Sequence, residues 1–130
     1  MKTKIILTLL LLTLNSNIQA QKICYYSNFT SYKRLVNNTW TDWTDWREYY
    51  VEIILDTDSN TITIYDADIE KVYKIHPIYE KLEDCNSITI KYKVVESENN
   101  CLYIRFRNQY DGIKQLYLDY KDLVYIYNLM

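Results

Sequence analysis

The chain has 130 residues, 48% of them hydrophobic, with 15 basic and 17 acidic side chains and a formal net charge of −2. That length suits one domain around one core, and the missing basic surplus argues against general nucleic-acid binding. A single histidine and a single glycine exclude a histidine-pair metal site and a glycine-rich phosphate loop, and no cofactor is expected.

Met1-Lys2-Thr3-Lys4 is a short basic start, Ile5 to Leu14 is apolar apart from threonine, and Ala20 closes a polar stretch ahead of Gln21. This pattern predicts a secretory signal peptide over 1–20. Its apolar run falls short of the ~20 residues that span a bilayer. Gln21-Lys22-Ile23 ahead of Cys24 is not a lipobox, so no stable membrane anchor is expected. The expected product is exported, periplasmic or extracellular. Its one domain, 21–130, has 130 − 20 = 110 residues, and losing Lys2 and Lys4 leaves 13 basic against 17 acidic side chains, a net −4.

Period-two alternation dominates from residue 47 onward, the mark of strands with one buried face. A strand is also expected somewhere within 22–35. Val51, Ile53 and Leu55 share one face; so do Ile62 and Ile64, then Ile88, Ile90, Tyr92 and Val94, then Leu102, Ile104 and Phe106, then Leu116 and Leu118. Weaker strands are expected at 71–75 and 78–81, a final short strand at 123–127 has a facing that alternation leaves open, and Asp68-Ile69-Glu70 reads as the start of one helical turn. Thr57 to Asn60 is a polar turn. Asp56-Thr57-Asp58-Ser59-Asn60 resembles the opening of a calcium loop, but Thr61 stands where the sharp turn needs glycine and Ala67 where a glutamate is needed. Tyr110-Asp111-Gly112 predicts a three-residue hairpin loop with Gly112 left-handed. It sets Phe106 opposite Leu116 and Arg105 opposite Tyr117. Glu98-Asn99-Asn100, with Asn100 left-handed, is read as a similar loop setting Val94 opposite Ile104 and Lys93 opposite Arg105. The fold class is therefore all-β: an antiparallel meander of seven to nine short strands closed into a small barrel or packed as a sandwich.

Three groups of residues stand out. Trp40, Trp43 and Trp46, spaced by three, share a side only on a polyproline-like or helical path; they form a candidate platform for sugar rings or peptides, or else plug one end of the fold. Lys91, Lys93, Arg105 and Arg107, with Tyr103, Tyr117 and Asp119, lie on the face opposite the apolar rows. They form a candidate anion-binding patch, or an ordinary solvated face. Cys24, Cys85 and Cys101 leave at least one thiol over. The register puts Cys85 and Cys101 roughly 30 Å apart, beyond disulfide reach, so any bridge is expected to involve Cys24.

The signal peptide ending at Ala20-Gln21, Trp40-Thr41-Asp42-Trp43 before a strand, Thr61-Ile62-Thr63-Ile64-Tyr65, and Leu116-Tyr117-Leu118-Asp119-Tyr120 before Leu123-Val124-Tyr125-Ile126-Tyr127 together resemble a set of small exported β-rich proteins of Bacteroidetes. The resemblance implies a β-rich fold and a Gram-negative export route. It carries no activity and no functional residues.

The first reading is a non-enzymatic exported binding or accessory protein that meets an unknown protein or glycan, and no nucleic acid, through aromatic and basic surface. The second is a lipocalin-like carrier of a small apolar ligand inside a barrel. The third is a hydrolase built on a carboxylate pair.

Overall fold

Strand formers with alternating polarity dominate the described residues, and most of the described residues are strand. The computed structural model describes residues 21–67, 69–96 and 100–130. The segment read as a signal peptide lies outside them. Ten strands form: β1 (Lys22–Val36), β2 (Thr39–Trp40), β3 (Arg47–Asp56), β4 (Thr61–Asp66), β5 (Ile69–Ile75), β6 (Glu80–Glu83), β7 (Ser87–Glu96), β8 (Cys101–Gln109), β9 (Lys114–Tyr120) and β10 (Leu123–Leu129). Among the described residues there is no helix. Ile69 and Glu70, read as a helical turn, instead pair with Asp66 and Tyr65. The reason is Ala67, whose φ of 47° reverses the chain at once.

Antiparallel pairing follows the order β10-β9-β8-β7-β5-β4-β3-β1, and β1 pairs again with β10. The sheet therefore closes as an eight-stranded antiparallel barrel, with β2 and β6 as additions. Closure depends on β1, whose 15 residues exceed one neighbour's length. Its first half pairs with β3, and Ser27 to Arg34 pairs with β10. An irregularity between Ser27 and Phe29 interrupts both ladders, the local bend by which a bulged strand turns a barrel corner. β5 and β6 share one edge of β7 on either side of the bend at His76-Pro77. Pro77 has no N–H to give a ladder, so the strand breaks there.

The inward rows build the core. Val51, Ile53, Leu55, Ile62, Ile64, Ile75, Val94, Ile104, Phe106, Leu116 and Leu118 are all buried. Not every expected member is fully buried: Ile88, Ile90 and Tyr92 are half-buried, and Leu102 is exposed, while Cys101 is buried. An irregularity between Cys101 and Tyr103, opposite β9, shifts the facing by one residue. Buried polar groups on β1 are satisfied, with Thr30 Oγ1 donating to the Ile126 carbonyl at 3.0 Å and Ser31 Oγ to the Thr44 carbonyl at 2.6 Å.

The β8–β9 hairpin has the expected register, with Phe106 opposite Leu116 and Arg105 opposite Tyr117. Gly112 is left-handed at φ 96°. A Cβ there would meet nothing within 4 Å, so only the backbone conformation penalises a side chain. Gly112→Ala is expected to cost about 1 kcal/mol, measured as a shift of the urea midpoint with unchanged slope.

The β7–β8 register differs from expectation. Asn100 is left-handed at φ 58°, as read. However, Tyr92 and not Val94 faces Ile104, and Lys91 and not Lys93 faces Arg105. The slip is two residues. A slip of two leaves every side chain on its own face, so hydrophobic alternation cannot detect it.

Candidate functional site

The tryptophan segment is an arm along the edge of β1 that β3 leaves open. Asn37 and Asn38, at φ 51° and 62°, form the tight turn with two left-handed residues that suits a hairpin. Leu35 then pairs with Trp40. Beyond it, two threonines imitate a strand ladder. Thr41 N donates to Arg34 O at 2.8 Å while Thr41 Oγ1 accepts from Arg34 N at 3.0 Å. Thr44 repeats this on Tyr32, at 2.9 and 3.0 Å. The repeated Trp-Thr-Asp triplet thus advances two residues of β1 per three of its own, which explains its spacing.

The indoles do not plug the barrel. Trp40, Trp43 and Trp46 are 41%, 41% and 46% exposed. Lys33 Nζ stands 5.4 Å from the Trp40 ring centroid and 4.9 Å from that of Trp43, a cation held between two π faces. Trp43 meets Tyr117 edge-on at 6.3 Å, beside a buried outer cluster of Tyr117, Val124 and Ile126. These contacts settle the facing of β10, which alternation alone left open.

The basic residues share this outer wall, but their charge is largely answered by neighbours. Arg105 donates twice to Asp119, at 2.6 and 2.8 Å, and its guanidinium lies 4.2 Å from the Tyr117 centroid. Lys91 lies 4.1 Å from the Tyr103 centroid, so the like-charged neighbours Lys91 and Arg105 lean onto separate rings. Arg107 donates to Ser87 Oγ at 3.2 Å. It also helps hold the Asp84 carboxyl below the usual range, an effect led by the Asn86 N–H. Lys93 is exposed beside Tyr103. A groove over this wall is lined by Arg105 and Arg107, but also by Glu83 and Asp84. The structure thus gathers Trp43, Tyr103, Arg105 and Tyr117, with Lys91 and Arg107 at the margin. Trp46 and Lys93 contribute exposed surface.

A second site escaped the sequence analysis. At one mouth of the barrel the inward positions change from aliphatic to tyrosine. Tyr49, Tyr73, Tyr120, Tyr125 and Tyr127 surround a cup of about 160 Å³ floored by Ile64 and Leu118. Thr30, Arg47, Asp66 and Lys71 complete its wall. Each charged residue continues an inward row: Arg47 that of Tyr49 and Val51, Asp66 that of Ile62 and Ile64, Lys71 that of Tyr73 and Ile75. Alternation predicts apolar residues there, and that mismatch is the signal a reading of the sequence had available.

The cup is partly ordered from within. The Tyr49 hydroxyl donates to Asp66 Oδ2, and the Tyr73 and Tyr120 hydroxyls are 3.0 Å apart. Burial raises the Tyr120 and Tyr127 pKa values well above the usual phenol value, assisted at Tyr120 by the Tyr73 hydroxyl. Tyr120 and Tyr127 therefore offer neutral O–H donors and acceptors, not phenolate nucleophiles. Asp66 is the only carboxylate in the lining among the described residues.

The cysteines stand apart from both sites. Cys24 and Cys85 are exposed, Cys101 is buried, and all three are free. Comparisons with protein families, with curated proteins and with solved structures find no match for this chain.

Proposed function

We propose that this chain is an exported, non-enzymatic binding protein that receives a small ligand in the tyrosine cup at the barrel mouth. The observation that carries the reading is the cup itself: a concave site with aromatic walls, an apolar floor and a few convergent polar groups, at a place in the fold where barrels hold ligands. An eight-stranded barrel is just wide enough to be filled by side chains or to hold one small ligand. Here both happen at different depths. Below Ile64 and Leu118 the interior is packed, with Ile53, Ile62, Ile104 and Leu116 all 0% exposed. A long acyl chain has no room, so the carrier reading narrows to a small ligand. Among the described residues the cup's one carboxylate gives no acid–base pair, and burial holds the Tyr120 and Tyr127 hydroxyls protonated, which favours binding over hydrolysis.

Export rests on the pattern of residues 1–20. Intact mass of secreted material should give a chain starting at Gln21; retention of Ile5 to Leu14 would sink it. The cup is tested by amide chemical shifts during titration with small ring compounds. Shifts clustered on Tyr49, Tyr73, Tyr120, Tyr125 and Tyr127 are expected. Shifts confined to the outer wall would move the site there.

The outer wall supports a second reading, that of a glycan platform, because three indoles remain roughly half exposed along one arm and aromatic faces stack on sugar rings. Trp43→Ala should abolish glycan binding and leave a cup ligand unaffected.

A further inference from the structure

We infer that the cup selects a small aromatic carboxylate, a single ring bearing one negative charge. This rests on the cup being the binding site, and four observations define the class.

The first is size. A cavity of about 150 Å³ holds one benzene, and the cup measures about 160 Å³. It therefore fits one six-membered ring with a small substituent extending to the rim.

The second is shape. Five tyrosines contribute to the wall. Tyr120 and Tyr125 already meet edge-on, 6.1 Å apart at 83°, the geometry in which aromatic rings attract. A planar ring extends that arrangement, whereas a branched aliphatic ligand does not.

The third is charge. Arg47 and Lys71 reach the cup, as does one carboxylate, Asp66. Asp66 already accepts the Tyr49 hydroxyl. Neither Arg47 nor Lys71 has an ion-pair partner among the described residues. The described lining therefore carries one net positive charge, on a protein whose overall balance is −2. The outer wall shows the opposite habit, where Arg105 is held by Asp119.

The fourth is exposure. Arg47 and Lys71 are exposed at the rim, while the floor residues Ile64 and Leu118 are each 3% exposed. The ring enters first and the carboxylate remains beside the two cations. Arg47 has the planar fork that matches a carboxylate.

The test uses three matched probes on the mature protein: 4-hydroxybenzoate, the neutral 4-hydroxybenzyl alcohol and the cationic 4-hydroxybenzylamine. Calorimetry at low ionic strength gives Kd, and amide shifts locate binding. The carboxylate is expected to bind at least about tenfold more tightly than the alcohol, and the amine more weakly than either. Arg47→Gln combined with Lys71→Gln leaves Asp66 as the charge of the described lining, so it should bring the carboxylate to the alcohol's affinity or below it and change the alcohol's own affinity far less. Both residues are exposed, so the double variant should melt within a few degrees of wild type. Equal affinity of carboxylate and alcohol in the cup would overturn the charge selection and leave the cup as a neutral ring site. It would also reduce Lys71 to an inward charge guarding the part of β5 that β7 leaves unpaired. If none of the three probes shifts the cup tyrosines, both the selection and the cup reading fall.

Discussion

Phe106→Ala is expected to lower the unfolding free energy by ~3–5 kcal/mol, the cost of lost burial plus a residual cavity. Phe106 is 7% exposed. It packs between Tyr25 at 5.2 Å and Tyr92 at 6.2 Å, and aromatic pairs add about 0.5–1.5 kcal/mol each beyond area burial. Its neighbour Arg105 points to the outer wall. Sequence alone makes Arg105 an exposed residue whose loss is nearly neutral, but its side chain is only 30% exposed. Removing it frees Asp119 from a two-pronged contact and uncovers the Tyr117 ring. Arg105→Ala is therefore expected to cost about 1–1.5 kcal/mol, more than an ordinary surface change. Urea melts of both variants give the comparison. Equal losses would mean that the facing of β8 is wrong, and with it the separation of cup from outer wall. Asp119→Asn should reproduce part of the Arg105 effect and none of the Phe106 effect.

The second large effect is alkaline unfolding. Burial inside the barrel pushes the Cys101 thiol from 9.0 up to about 12, with the Asp119 carboxylate adding to it. Tyr120 and Tyr127 are raised in the same direction, chiefly by burial. A raised pKa in the folded state means that the folded chain holds its proton after the unfolded chain has released it. The linked stability is complete below the unfolded pKa and is lost as pH climbs through the folded one. For Cys101 that window runs from pH 9 to about 12. A three-unit displacement corresponds to a loss on the order of 4 kcal/mol at its upper end. The tyrosines add to the loss above their usual value of 10.0. Urea midpoints taken at rising pH should therefore fall steeply above pH 9, and Cys101→Ala should delay the fall until the tyrosines begin to titrate. Alkylation gives an independent check. Cys24 and Cys85 are exposed and should react promptly under native conditions, while Cys101 should react only in denaturant. A Cys101 that alkylates as fast as the others would place it outside the core.

Alternation of side chains along each strand decided most of the barrel's inner lining. Ile53, Ile62, Ile104 and Leu116 could be assigned to the core from sequence because a strand has only two faces, and a row with one apolar face has one place to go. The β8–β9 register was equally legible, because a lone glycine at the left-handed corner permits one loop. Tertiary structure decided what alternation does not encode. A two-residue slip between β7 and β8 preserves every face, so the Lys91–Arg105 pairing waited on the connection itself. Irregularities at Ser27 and Cys101 switch the facing without a glycine or proline to announce them. Whether the sheet closes depends on β1 being long enough to reach both β3 and β10, a matter of spatial stagger and not of local pattern. The cup was hidden for the same reason. Period two says which face Arg47, Asp66, Lys71 and Tyr120 occupy. Their common height along the barrel axis is set only when strands of different length are staggered and closed. The sequence determined an all-β domain with an aliphatic interior. Closure brought five tyrosines and the cations Arg47 and Lys71 to one mouth, because position along the axis is a property of the assembled sheet and of no single strand.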